Sequence, residues 1–110
     1  MTKTVRINAQ LITDWETFHD LFKKVFGFPD FYGKNMNAWI DCMTYIDDKD
    51  SGMTRVWITK NDTLVIELTN SKKLKQRCPD IHSALLECAA FVNFRKIENK
   101  EQSMIAIAAD

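Results

Sequence analysis

The chain has 110 residues, of which 45% are hydrophobic and 11% aromatic, with only three glycines and two prolines. This composition excludes a collagenous, linker-rich or disordered chain, and the length suits one domain, residues 1–110, built on a single hydrophobic core. Fifteen basic residues balance fifteen acidic ones, so the chain has no overall positive charge that would attract nucleic acid or an anionic membrane.

Hydropathy and cysteine content favour a cytoplasmic protein. No apolar run approaches the roughly 18 residues that a membrane-spanning helix requires, and the first ten residues lack the hydrophobic stretch of a signal peptide. The three cysteines are odd in number and form no Cys-x-x-Cys pair, which favours reduced thiols over disulfides. They are Cys42, Cys78 and Cys88.

The start of the chain predicts a strand followed by a helix. Thr4–Ile7 is a short run with the β-branched residues typical of a strand. Thr13 and Glu16 have the spacing of a capping box and predict that a helix begins there, while Gly27 and Pro29 predict its end. Apolar residues at steps of three and four give this helix a face that we expect to be buried. That face consists of Trp15, Phe18, Leu21, Phe22, Val25 and Phe26.

A second helix is predicted after the aromatic-rich loop Phe28–Lys34. Asn35 is suited to cap this helix, which we expect over residues 36–46. Asn37 and Asp41 each lie roughly 160° around the helix from Trp39, so both side chains are expected to point into solvent. The inward stripe is Met36, Trp39, Met43 and Ile46.

The second half of the chain predicts further strands and helices. Arg55–Thr59 and Thr63–Leu68 are both strand-like, so residues 54–60 are expected to add an edge strand or a hairpin arm, and the more continuous second run suits the sheet centre. Lys72–Arg77 predicts a short basic helix. Asp80 is suited to cap a longer helix over residues 81–94, and residues 104–108 predict a last strand. The buried stripe of the longer helix is expected to be Ile81, Leu85, Cys88, Ala89 and Val92.

This order of elements predicts an α/β fold. Crossover helices between strands imply a small, three-stranded, mostly parallel sheet packed with about three to four helices.

The sequence carries no recognisable catalytic apparatus. It has no glycine-rich phosphate loop, no His-Glu-x-x-His helix and no nucleophile elbow, so we predict neither an enzyme nor a cofactor. Cys78 and His82 have a loose metal-ligand spacing, but the Pro79-Asp80 pair between them breaks the helical register, so no metal site is predicted. Cys42 is interpreted as a small buried hydrophobe. A small enzyme that uses Cys42 or His82 remains an alternative.

The segment Phe28–Asp50 has the character of an interaction site. It contains five aspartates and two lysines, which gives it a net charge of −3 within a neutral chain. Aromatic rings in a short loop offer a large contact area, and neighbouring acids suit a basic partner. The alternative is that Phe28, Phe31 and Tyr32 attach the loop to the core, while the aspartates merely solvate a helix and a turn.

The seventeen residues Phe28–Thr44 resemble the signature of the barstar family of intracellular ribonuclease inhibitors. Over the first sixteen of these residues the signature reads aliphatic-Pro-acid-aromatic-Tyr-Gly-x-Asn-aliphatic-Asp-Ala-x-x-Asp-Cys-Leu, and the match has no gaps. The rest of the chain is similar in its order of elements, and Arg55–Lys60 resembles an insertion.

The resemblance implies a protein partner. Members of the family block the active site of a small secreted ribonuclease with the second helix and the loop before it. Such a site holds phosphate with cationic side chains, so a carboxylate on a rigid helix can take the phosphate position. Asp41 matches the main inhibitory aspartate, whereas Phe31, Asn37 and Ile40 stand where the best-known member has Tyr, Asp and Trp. The partner-binding residues implied are Phe31, Tyr32, Gly33, Asn37, Ile40, Asp41 and Thr44.

We therefore expect an immunity protein that is monomeric when free and that binds a small ribonuclease with a basic active site, without touching nucleic acid or membrane itself. The alternative is a non-inhibitory interaction module that presents a changed surface on the same scaffold.

Overall fold

One three-stranded sheet organises the computed structural model, which describes residues 2–102 and 104–110; Met1 and Ser103 of the predicted domain lie outside the described residues. Both neighbouring pairs of strands are parallel, and the second strand lies in the middle. Ile7 pairs with Leu68 on one side, and Leu64 pairs with Ile105 on the other. The strands are β1, Thr2–Asn8, β2, Thr63–Thr69, and β3, Met104–Ala109. The predicted parallel sheet and its central strand are confirmed.

Within the described residues, four helices accompany the sheet and complete the predicted α/β fold. They are α1, Trp15–Phe26, α2, Met36–Thr44, α3, Ser71–Arg77, and α4, Pro79–Glu98, with short 3-10 turns at Ala9–Leu11 and Lys49–Ser51. Leu64, Ile66 and Leu68 of β2 are buried, whereas the residues between them are only half-buried, so the sheet packs its main hydrophobic surface on one side. No helix in the described part of the chain combines the length and hydropathy needed to cross a membrane.

The start of α1 differs from the prediction by one residue. Asp14, not Thr13, is the N-cap, and its carboxylate accepts the Thr17 backbone N–H at 2.8 Å while the Thr17 hydroxyl accepts the Asp14 N–H at 3.0 Å. A negative charge also interacts favourably with the helix dipole at this end. As predicted, the helix ends at Gly27, whose φ of 68° is the left-handed conformation that glycine adopts at least cost.

The environment of Trp15 differs from the prediction. Trp15 was predicted to be buried, but as the first helical residue it lies at the margin of the core and is 40% exposed. His19 lies one turn further along and is buried, with its ring stacked on the Trp15 indole at a centroid distance of 5.9 Å. The remaining predicted core residues of α1 are buried or half-buried.

The predicted edge strand or hairpin at residues 54–60 is wrong. Both edges of β2 are already occupied, by β1 and by β3, so the segment has no strand position next to its sequence neighbour. It forms a loop that is fixed by two backbone hydrogen bonds, from Arg55 N–H to the Phe26 carbonyl at 2.8 Å and from Ile58 N–H to the Ile46 carbonyl at 2.9 Å. The loop therefore lies beside the carboxyl ends of α1 and α2.

The last helix is longer than the sequence predicted. It begins at Pro79 rather than under an Asp80 cap, and it continues to Glu98. Its apolar stripe is buried as expected at Ile81, Leu85, Ala89 and Val92, whereas Cys88 is only half-buried. The next step along the stripe is Lys96, which is also buried. A charged residue thus extends an otherwise hydrophobic face.

The carboxyl end of the chain caps another helix. The Asp110 carboxylate accepts the backbone N–H groups of Asn70 and Ser71, both at 2.8 Å, and the Ser71 hydroxyl at 2.9 Å. These hydrogen bonds lower the pKa of Asp110, because they stabilise its charged form. Residues some 40 positions apart therefore share the start of α3.

Candidate protein-binding site

The rotation of α2 is fixed by its cap and by its buried side. The Asn35 carboxamide oxygen accepts the Ala38 N–H at 2.8 Å, which confirms the predicted cap. Trp39 and Met43 are fully buried, and the Trp39 indole meets the Phe22 ring edge-on at 5.8 Å between centroids. With that side turned inward, Asn37 and Asp41 are exposed, as predicted.

Two aromatic rings of the preceding loop belong to the core. Phe28 and Tyr32 are buried and in contact, with ring centroids 4.7 Å apart. The Tyr32 hydroxyl forms a 2.6 Å hydrogen bond with His19 Nδ1. Burial raises the pKa of Tyr32 and lowers the pKa of His19, because it disfavours the charged form of each. For these two rings, the interpretation that the loop is attached to the core is correct.

Phe31 has the opposite environment. A turn closed by the hydrogen bond from Tyr32 N–H to the Pro29 carbonyl, at 2.9 Å, places Asp30 and Phe31 in solvent. The Phe31 side chain is 77% exposed, the highest value among the large hydrophobic residues that the structure describes. The phenyl group therefore adds apolar surface at the loop tip and none to the core. The loop therefore has an inner side that packs and a tip that is available for binding.

The absence of a side chain at Gly33 leaves room for the Asn35 side chain that caps α2. A Cβ atom at this position would lie 3.3 Å from the Asn35 side-chain nitrogen and 3.7 Å from Ala38 Cβ. That nitrogen donates a hydrogen bond to the Gly33 carbonyl at 3.4 Å. A larger residue would therefore press on the side chain that begins the helix.

The predicted partner-binding residues thus divide by exposure. Phe31, Gly33, Asn37 and Asp41 are exposed, Ile40 and Thr44 are half-buried, and Tyr32 is only 6% exposed.

Thr44 and Tyr45 continue the outward side of α2. The Thr44 hydroxyl donates to the Ile40 carbonyl at 2.6 Å, which occupies its proton. Tyr45 follows Asp41 by four residues and is exposed, so both lie on one side of the helix end. The sequence analysis missed Tyr45, although this four-residue spacing from Asp41 was a usable signal.

The segment Phe28–Asp50 exposes less negative charge than its composition indicated. In the alternative interpretation Asp47 would solvate a turn, but its side chain is 2% exposed and accepts a 2.9 Å hydrogen bond from Lys96 Nζ. Lys60 Nζ approaches the same oxygen at 3.6 Å. Among the other acids, Asp30, Asp41 and Asp50 are exposed and Asp48 is half-buried.

A polar depression adjoins the end of α2. Its volume is about 290 Å³. The lining includes Thr44, Tyr45, Asp48, Lys60 and Arg95, and it also reaches the buried Asp47–Lys96 pair. This depression therefore lies within one helical turn of Asp41 and extends the same side of the molecule.

The alternative of thiol catalysis finds little support. Cys42 is 2% exposed, and burial, with a smaller contribution from Asp41, raises its pKa to about 11. The thiolate that would act as a nucleophile is therefore scarce at neutral pH. His82 is half-buried. Across residues 2–102 and 104–110, no three His, Cys, Asp or Glu side chains are grouped closely enough to hold a metal ion.

A known protein family matches this chain, in agreement with its α/β fold. The model of the family described as Barstar (barnase inhibitor) matches residues 2–108, which is nearly the whole chain. No curated protein shows significant similarity to it.

Proposed function

Since the chain belongs to the barstar family, we propose that it inhibits a small extracellular ribonuclease by covering the active site with α2 and the loop before it. The observation that carries this proposal is Asp41. It is the only acidic residue of α2, it is exposed, and it stands on a helix whose opposite side is fixed in the core.

The mechanism is electrostatic and steric occlusion. A ribonuclease binds the phosphate of RNA with Arg, Lys and His side chains, and a carboxylate accepts charge-assisted hydrogen bonds from the same groups. Because the Asn35 cap and the buried Trp39 hold α2 in place, little conformational entropy is lost when Asp41 is bound. Phe31 and Ile40 supply apolar contacts on either side, and Asn37 supplies a neutral acceptor.

The same reasoning gives a biological role. A cell that makes a secreted ribonuclease needs protection before export, and an inhibitor in the cytoplasm provides it. We propose that the chain acts there as an immunity protein, monomeric until it meets its nuclease.

The decisive experiment follows RNA cleavage by barnase and by a panel of small extracellular ribonucleases as the purified chain is added. Because the net charge of the chain is +0, long-range steering is weak and the first assay belongs at low salt. We expect stoichiometric loss of cleavage for at least one nuclease. If no member of the panel is bound or inhibited, the proposal is wrong.

Asp41→Ala tests the anchor. A central interface residue of this kind contributes on the order of 2 kcal/mol or more, so the dissociation constant should rise at least about 30-fold. Asp50→Ala is the matched control, because it removes the same charge from an exposed position outside α2. An unchanged dissociation constant for Asp41→Ala, or an equal loss for Asp50→Ala, would refute the role of Asp41.

A non-inhibitory interaction module is the second candidate. It is favoured by the neutral Asn37, which leaves α2 with a single carboxylate. It predicts a stable complex through the Phe31–Asp41 surface with a protein whose enzymatic activity, if any, is unaltered. Binding without inhibition in the same assay would select this candidate.

A further inference from the structure

The proposed contact loop contains a lysine. Lys34 lies between Gly33, which the resemblance places in the interface, and Asn35, which caps α2. An unpaired ammonium group here would face a nuclease site that is itself lined with cations. Juxtaposed like charges weaken a complex and slow its formation.

The structure shows how this charge is held. Lys34 Nζ lies 2.8 Å from Asp20 Oδ1 on α1, and both side chains are about half exposed. The hydrogen bond to Asp20 and its charge raise the pKa of Lys34, and Glu16, one turn earlier on α1, acts in the same direction. The lysine ammonium group is thus paired with a carboxylate of the first helix.

The backbone supplies a second observation. Lys34 has a φ of 52°, the left-handed conformation that glycine or asparagine adopts more readily. Local backbone preference therefore does not account for a lysine at this turn. Its defined side-chain contact is the one with Asp20.

We propose that Asp20 is a positioning residue that holds Lys34 against α1 and neutralises it, so that the loop can approach a cationic active site. This inference rests on the proposed function. If that function holds, the carboxylate of Asp20 balances the positive charge of Lys34. The negative charge of Asp41 on the contact surface is then not offset by Lys34.

The test is a set of four variants measured against the nuclease of the panel that binds most tightly. Asp20→Asn releases the ammonium group, so we expect the dissociation constant to rise about three- to tenfold and the association rate to become less sensitive to salt. Glu87→Gln removes the same charge from an exposed position on α4 and should change the dissociation constant less than about twofold. Lys34→Gln should bind at least as well as the unmodified chain.

The double variant Asp20→Asn/Lys34→Gln separates charge release from general damage. If Asp20 acts through Lys34, the double variant binds like Lys34→Gln alone. The inference is overturned if Asp20→Asn behaves like Glu87→Gln, or if its loss persists without the lysine. Either of these results leaves inhibition by the unmodified chain intact, so the proposed function survives. If the unmodified chain binds no nuclease, both the proposed function and this role of Asp20 are rejected.

Discussion

Replacing Lys96 with methionine should strongly destabilise the fold. Lys96 and Asp47 are buried partners, with side chains 6% and 2% exposed and a 2.9 Å contact. At that distance and an effective dielectric constant of about 20, the attraction is roughly 6 kcal/mol. The desolvation of two charges offsets most of it, so the pair as a whole adds little net stability. The loss of one partner is different, because the other charge then stays buried.

The expected cost of Lys96→Met is about 3 kcal/mol, the lower end of the range for breaking a buried pair. The lower end applies because Lys60 already lies 3.6 Å from the same Asp47 oxygen and retains part of the attraction. Urea unfolding at pH 7, followed by tryptophan fluorescence and circular dichroism, gives the free energy of unfolding.

Asp47→Asn, made alone and in the Lys96→Met background, completes a double-mutant cycle. Because it removes the stranded charge, the double variant should be more stable than the sum of the single effects by about 2 kcal/mol. Lys72→Met, at an exposed position on α3, is the control and should change stability by less than about 0.5 kcal/mol. A cost below about 1 kcal/mol for Lys96→Met, or strict additivity in the cycle, would contradict the burial of an uncompensated Asp47 charge.

Two further predictions concern the ends and the interior of α1. Gly27→Ala should lower the free energy of unfolding by about 2 kcal/mol or more, because φ is 68° and the new Cβ would lie 2.6 Å from Arg55 Cβ. The control Gly52→Ala, with φ 73° and open space around it, should lower it by only about 1 kcal/mol. Equal losses of stability in urea unfolding would contradict the clash with Arg55. Burial lowers the pKa of His19; the nearby Lys34 acts in the same direction and Asp20 in the opposite one. As the pH falls, His19 is therefore protonated at a higher pH in the unfolded chain than in the folded one, so stability should fall as the pH drops below about 6.5. His19→Gln should flatten that decline in urea midpoints between pH 7 and 5, and an unaltered slope would contradict it.

The order of elements was predictable because each element carries its own local signal. Alternating β-branched residues, three- and four-residue apolar steps, and Gly27 and Asn35 as helix boundaries all act within a few positions. The outward direction of Asp41 followed from the same periodicity. These features need no knowledge of distant contacts.

The errors arose where a distant element decides. Arg55–Thr59 has strand-like residues, but whether β2 has a vacant edge depends on β3, more than 40 positions later. Charge normally indicates exposure, so local sequence gives no sign that Lys96 and Asp47 are buried; only their mutual approach across 49 positions allows it. Likewise, Asp20 gave no indication of its pairing with Lys34. The charge pattern of the candidate site was therefore the part that the sequence predicted least well.

The hydrogen bonds from Asn70 and Ser71 to the Asp110 carboxylate join the two ends of a 41-residue loop that contains α3, α4 and β3. A helix as short as α3 is marginal by itself, and here its first turn is completed by the terminus of an edge strand. The strand is in turn held at its own carboxyl end by that helix. The ordering of α3 and the ordering of the end of β3 are therefore coupled.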